Sequence, residues 1–436
     1  MKRGVTRSLN NKHQYYLKNL PSDWDKVPLE KLGTIYSGGT PSRLIPFLWD
    51  GSIAWVTPGE LTKINSKWLT QTKEYITEAG LSNSAAKLMP KGTILVTTRA
   101  TIGSVAVATI PICTNQGFKS IVPNEYTDSI FYYYLLRFIA PEIVRLSSGS
   151  TFDEISRRDF ANIVVPRPPI KEQRRIAEIL DTVDETIAQT EALIAKLKQI
   201  RAGLLQDLLT RGLDEDGKLR DAIAHPEQFK DSPLGQIPKD WEVCPIEEKL
   251  DKIIDYRGKT PKKSESGIPL ITAKNIREGF LDREHQEYIS EHSYTNWMTR
   301  GIPNVGDILF TTEAPLGNVA FFPNYKVALA QRIITLCPNL NELVPGYLLW
   351  LLLFSNSRRR LEQKSTGSTV LGIKQSVFRS LLFQFPPLKE QKIINKVIDT
   401  HNTRIRTEEA YLNKLKLQKQ GLMHDLLTGK VRVNQI

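Results

Sequence analysis

Gly258, Lys259 and Thr260 in "RGKTPKK" are the residue types that end a phosphate-cradling P-loop of the form G-x-x-x-x-G-K-[ST]. The first glycine of that form is missing, because Ile253 stands in its place. His285 in "REHQE" lacks the second histidine of a zinc-protease helix. No G-x-S-x-G nucleophile elbow and no dinucleotide-binding fingerprint occurs. The prolines of "RPPI" and "FPPL" lack the acid or amide before them and the aromatic after them that an amino-methyltransferase needs. His13, His225, His285, His292, His401 and His424 show no metal-ligand spacing. Cys113, Cys244 and Cys337 are too scattered for a zinc site or a disulfide framework. The expectation is a chain that catalyses nothing and holds no metal.

The charge balance carries more. Among 436 residues, 59 Lys and Arg face 47 Asp and Glu, a net +12. Such an excess favours a polyanionic partner such as nucleic acid. With 40% hydrophobic residues the chain has room for two or three domains with cores. The N-terminal "MKRGVTRSLNNKHQYYLKNL" lacks the apolar stretch of a signal peptide. The run "YLLWLLLF" is far short of the roughly 20 residues a membrane span needs. Lone cysteines suit a reducing compartment, so the expected location is cytoplasmic, with no membrane.

The elements that must position any site come in duplicate. "PPIKEQRRIAEILDT" (168–182) returns as "PPLKEQKIINKVIDT" (386–400), and "KLKQIRAGLLQDLLT" (196–210) as "KLKLQKQGLMHDLLT" (414–428). "LPSDW" answers "IPKDW", "GTILVTTRATIGSVA" (92–106) answers "GDILFTTEAPLGNVA" (306–320), and "SSGST" answers "STGST", all in one order. The chain is a tandem repeat, each copy a variable globular region followed by a near-constant helix.

Those helices carry a seven-residue apolar seam. In the first copy it comprises Ile176, Leu180, Val183, Ile187, Ile194, Leu197, Leu204 and Leu208, interrupted by Thr190 and Arg201. The second has Ile394, Ile398, Ile405, Leu412, Leu415, Leu422 and Leu426, with His401, Glu408 and Lys419 in core register. Prolines precede both helices, Glu172 and Glu390 put negative charge in the positive first turn, and Gly212 and Gly429 fit C-caps. At about 1.5 Å per residue, some 40 residues span roughly 60 Å. So long a stripe needs more than its own small domain, and the other copy is the obvious antiparallel mate. The matching Gly203 and Gly421 suggest close helix approach.

Short β-rich runs followed by helical stretches make each globular region α+β. The expected architecture is two globular domains joined by two long antiparallel coiled-coil helices in a pseudo-twofold tandem repeat. Its segments are a first domain 1–168, a long helix 169–212, a linker 213–236, a second domain 237–386, a second helix 387–429 and a tail 430–436.

This arrangement resembles the specificity (S) subunits of type I restriction-modification systems, over nearly the whole chain. The carriers are "PPIKEQRRIAEILDTVDETI", "DSPLGQIPKDWEV", "GSTVLGIKQSVFRSLLFQFPPLKEQ", "TTRATIGSVA" and "TTEAPLGNVA". The resemblance implies two target-recognition domains, each reading half of a split, asymmetric sequence in double-stranded DNA. It implies helices that set the gap and dock two methyltransferase (modification) subunits, with restriction subunits in the full complex. It implies a non-enzymatic subunit without cofactors, S-adenosylmethionine, ATP and magnesium belonging to the partners. Two other readings remain open: an S-like subunit of a type II fused methyltransferase-nuclease, and a scaffold that binds protein rather than DNA.

Phosphates call for Arg, Lys and backbone N–H groups, and bases for Arg, Lys, Asn, Gln, Ser and Thr. In the first half the loop candidates are Thr40, Arg43, Thr98, Arg99, Thr101, Gln116 and Lys119. In the second they are Arg257, Lys259, Lys262, Lys263, Lys274, Asn275, Thr312, Glu313, Gln331, Arg332 and Lys374. Arg99 and Glu313 align. Arg suits guanine while Glu can accept from a cytosine amino group, the kind of exchange expected of two domains that read different sequences.

Overall fold

A computed structural model describes residues 15–64, 66–147, 154–256, 260–284, 286–367 and 371–433. The chain divides into two compact units, Met1–Glu191 with Ala410–Ile436, and Ala192–Glu409. Each is α+β.

In the first unit, Asp25–Pro28 pairs antiparallel with Val164–Arg167, closing the globular region just before the first long helix. Beyond this neck a five-stranded sheet runs in the order Gly33–Ser37, Lys119–Pro123, Ile94–Val96, Val105–Ala108, Trp68–Leu69. A three-stranded sheet holds Trp49–Val56 between Glu74–Ile76 and Cys113–Thr114. Ile94–Val96 and Val105–Ala108 are apolar without alternation because both their faces are buried. Ser129–Phe138 packs beneath them, started by Asp128, whose carboxylate accepts from the Ile130 and Phe131 N–H groups.

The second unit repeats the plan. Glu242–Pro245 pairs with Leu382–Phe385 at the neck. The larger sheet runs Leu250–Asp255, Ile333–Pro338, Ile308–Thr311, Val319–Phe321, and Ile268–Ile271 lies between Glu287–Ile289 and Ala328–Leu329 in the smaller one. The helix Pro345–Leu353 is apolar all round because it is buried all round, from Gly346 to Leu352. Residues 213–236, expected as a linker, are ordered against this unit: Leu213 is buried and Phe229–Lys230 pairs with Ile237–Pro238.

The long helices are Ile170–Leu208 and Leu388–Leu427. Among the described residues no helix is long and apolar enough to cross a membrane. The helices run antiparallel within each unit. In the first, Lys419 pairs with Asp184, and Lys416 with Glu191 at 2.7 Å. In the second, Lys198 meets Glu409 at 2.6 Å and Arg201 donates to Asn402 Oδ1 at 2.7 Å.

The seam has two fates. Ile176, Leu180 and Leu426 join the first unit's main core, and Leu208, Ile394 and Ile398 join the second's. Each long helix therefore does bury its domain-proximal turns against a globular core, at about 1.5–3 kcal/mol per large side chain. Ile194, Leu197, Ile405 and Leu415 are buried elsewhere along the seam, while Val183, Ile187, Leu204, Leu412 and Leu422 are half-buried. Thr190 is buried because its hydroxyl returns to the Thr186 carbonyl. Gly203 and Gly421 do not mark close helix approach: both are exposed, and an added Cβ would meet nothing within 4 Å. Nothing in the structure explains their recurrence.

Gly212 and Gly429 do end the helices in the left-handed region, at φ 61° and 69°. Each also lets a cluster that recurs in both copies close. A Cβ on Gly212 would stand 2.2 Å from Glu390 Oε1, and one on Gly429 would stand 2.4 Å from Pro21 Cδ. In the second unit Glu390 accepts from Trp241 Nε1 (3.1 Å), the Leu213 N–H (2.7 Å) and Arg220 Nη1 (2.8 Å). In the first, Glu172 accepts from Trp24 Nε1 (2.9 Å) and Arg432 Nε (2.8 Å). Asp240 and Asp23, beside the two tryptophans, hold the far side of the same arginines. Gln173 and Gln391 complete the clasp, donating to the Pro168 and Pro386 carbonyls and accepting from the Asp128 and Val344 N–H groups.

Candidate nucleic-acid interface

Three loops of the first unit meet at one end of its sheets. The turn after Trp49–Val56 carries Pro58 and Gly59, the turn after Ile94–Val96 carries Arg99 and Ala100, and the turn after Cys113–Thr114 carries Asn115, Gln116 and Gly117. Backbone bonds fix them: Asn115 N–H to the Val56 carbonyl (3.1 Å), Thr98 N–H to the Gly117 carbonyl (2.8 Å), and Ile155 N–H to the Thr98 carbonyl (3.0 Å). Ala100 turns the chain at φ 64°, a conformation rare for a residue with a Cβ. These side chains line one open cleft, with Arg99 exposed at its edge. Thr40 joins it, its hydroxyl donating to Gln116 Oε1 at 2.6 Å.

The second unit builds the same three loops. Ala330 N–H donates to the Ile271 carbonyl (2.8 Å), Thr312 N–H to the Arg332 carbonyl (3.0 Å), and Ile373 N–H to the Thr312 carbonyl (3.0 Å). Ala314 repeats the left-handed turn at φ 48°. Arg99 and Glu313 therefore occupy one structural position. Glu313 is paired, its Oε1 2.8 Å from Arg332 Nε. Gln331 is half-buried beside it, and Lys274 and Lys374 are exposed on the adjoining turns.

Several expected residues are not at the surface. Thr98 and Thr312 are buried at 0% and 3% exposure and form the loop walls. Thr101 Oγ1 is buried without a partner among the described residues. Asn275 is buried because its side chain caps its own turn, accepting from Thr272 N–H at 2.9 Å and donating to the Asp282 carbonyl at 3.1 Å. Lys119 is 4% exposed, its ammonium 3.6 Å from Glu154 Oε1. Burial lowers its pKa against the opposing pull of Glu154. None of these five can meet a phosphate or a base edge without leaving its place. Arg43 is exposed but engaged, pairing with both oxygens of Glu74 and stacking 3.7 Å over the Trp49 ring. Lys262 is exposed, and Lys263 pairs with Glu287 at 2.9 Å. Arg257, Lys259 and His285 lie outside the described residues.

The glycine positions of the first cleft, Gly59 and Gly117, escape a search for polar side chains. Laying one repeat on the other finds them, because Lys274 and Arg332 stand there in the second. For a metal, the described residues offer one close set, Glu242, Cys244 and Glu248. Lys249 already pairs with Glu242 at 2.8 Å, and burial pushes the Cys244 thiol up to about 12. This is an ion pair beside a protonated core thiol.

The family model for the type I restriction modification DNA specificity domain matches this chain twice, over residues 21–199 and 238–417. The chain is 26% identical over 427 residues to the type I restriction enzyme MjaIX specificity subunit of Methanocaldococcus jannaschii, covering 96% of this chain and 95% of that one. It is 30% identical over 224 residues to the EcoR124I/EcoR124II specificity subunit of Escherichia coli, covering 47% of this chain and 54% of that one. The crystal structure of the type I restriction-modification system S subunit from M. genitalium shares the fold, with a TM-score of 0.56 at 17% identity over 99% of both chains. The chain belongs to the type I restriction-modification DNA specificity family and carries that family's domain twice.

Proposed function

We propose that this chain is the DNA-specificity subunit of a type I restriction-modification complex and is not itself an enzyme. Its recognition domains, over residues 1–168 and 237–386, each read one part of a split, asymmetric target in double-stranded DNA. The long helices set the gap between the parts and dock two methyltransferase subunits, with restriction subunits joining the full complex. It needs no cofactor of its own; S-adenosylmethionine, ATP and magnesium serve the partners, and the complex works in the cytoplasm, where its DNA is.

One observation carries this reading. The same three-loop framework is built twice on matching strands, with Gly59, Arg99 and Gly117 in one copy and Lys274, Glu313 and Arg332 in the other. Constant backbone with exchanged polar side chains is what reading two different sequences requires. The net charge of +12 supplies the attraction for phosphates.

The test maps methylated adenines across the host genome with and without the gene. A split motif that vanishes with the gene is the expected result; an unchanged methylation pattern overturns the reading. A second measurement follows DNA affinity against salt, where log affinity should fall by about 0.9 per phosphate engaged for each unit of log salt. A flat response favours the protein scaffold instead.

A further inference from the structure

Arg332 lies in the left-handed region, at φ 74°, which favours glycine. A long charged residue is kept there, and its side chain is 52% exposed, that of Glu313 41%. Exposed ion pairs contribute little to stability, so the pair does not explain itself as a structural brace. Strained backbone at a residue with an outward charge points to a working site.

The pairing geometry says what the work is. Glu313 Oε1 lies 2.8 Å from the Nε of Arg332 as an ion pair, and among the described residues no other side chain pairs with that guanidinium. A carboxylate at Nε leaves the end of the guanidinium, where the two Nη groups sit, without a side-chain hydrogen bond among the described residues. That end offers two parallel N–H bonds, the match for guanine O6 and N7 in the major groove. In the first unit the position of Arg332 is held by Gly117 and that of Glu313 by Arg99, so that cleft presents its guanidinium from a different loop.

We propose that Arg332 is a specificity-determining residue of the second half, reading a guanine, and that Glu313 is its positioning residue and not a reader of cytosine. The assignment rests on the specificity-subunit reading above.

The test uses the full chain assembled with its modification subunits, acting on duplex DNA that carries the mapped target with each base pair of both half-sites substituted in turn. Arg332→Gly suits the backbone at this φ. It should cut the preference for one G·C pair of the second half-site roughly ten- to hundredfold and leave discrimination in the first half-site unchanged. Glu313→Gln should weaken discrimination at that same pair by a smaller factor, and should add nothing in the Arg332→Gly background. Retained first-half discrimination shows that each variant is folded; if Arg332→Gly fails that control, Glu313→Gln alone decides by whether it acts at a G·C pair. Three results overturn the proposal: unchanged discrimination, equal weakening on every sequence, or relaxation by Glu313→Gln at a different base pair from Arg332→Gly. If the unaltered complex shows no sequence preference at all, the specificity-subunit reading fails instead.

Discussion

Trp241 Nε1 donates to Glu390 Oε2 at 3.1 Å, a buried hydrogen bond between residues 149 positions apart. It ties the entry of the second globular region to the first turn of the helix that leaves it. Trp24 and Glu172 repeat the contact in the other unit. A polar contact this remote in sequence defines how each recognition region sits on its own helix.

Arg220 completes that cluster with side-chain exposure of 10%, against 9% for Glu390. Removing one partner of a buried pair strands the other, typically at 3–5 kcal/mol. Arg220→Ala should therefore lower the denaturant midpoint of the second unit by an amount equal to about 3 kcal/mol. Arg432→Ala should cost less, because its side chain is 36% exposed and water can replace it at Glu172. Equal losses for the two variants would show that exposure does not govern the cluster.

All three thiols are free and buried in the folded chain. Burial is the main cause that pushes Cys113, Cys244 and Cys337 each up to about 12. The thiolate is the reactive species, so at pH 8 a thiol reagent should label the native protein far more slowly than the denatured one. Rapid labelling of any one of them under native conditions would contradict its buried, protonated state.

The first cleft offers one exposed guanidinium, that of Arg99. If Arg99 makes a bidentate base contact, Arg99→Ala should cost about 1–3 kcal/mol of discrimination at one position of the first half-site. The measurement is competition binding with single-base-pair variants of the target. A loss that is the same for every sequence identifies a phosphate contact.

What the sequence carries openly is whatever repeats or has a period. The duplication, the long helix Ile170–Leu208 and the helix-ending Gly212 and Gly429 all appear in the fold. Loop polarity is a poorer guide, because whether Thr98 faces in or out is decided by strand register and by a carbonyl 19 residues away on Gly117. The phrase Lys-Glu-Gln reads as helix-start electrostatics, yet Glu172 and Gln173 serve partners 148 and 45 residues distant. Its recurrence is a clasp written twice. No local rule finds such partners; comparing the two copies does, since Asp-Trp, Glu-Gln and a later Arg recur together.

A helix pair that acts as the proposed spacer ties its own length to the gap in the target. Seven residues, one heptad, shorten a helix by about 10 Å while preserving the seam. That length equals about three base pairs at roughly 3.4 Å each. Removing one heptad from each helix between the Asp184–Lys419 and Arg201–Asn402 contacts should preserve both ends of the pairing. The complex carrying this variant should then methylate a target with unchanged half-sites and a gap about three base pairs shorter. Methylation mapping reads the gap directly. An unchanged gap removes the helices from the role of spacer, and altered half-sites mean that the helices themselves contribute to reading.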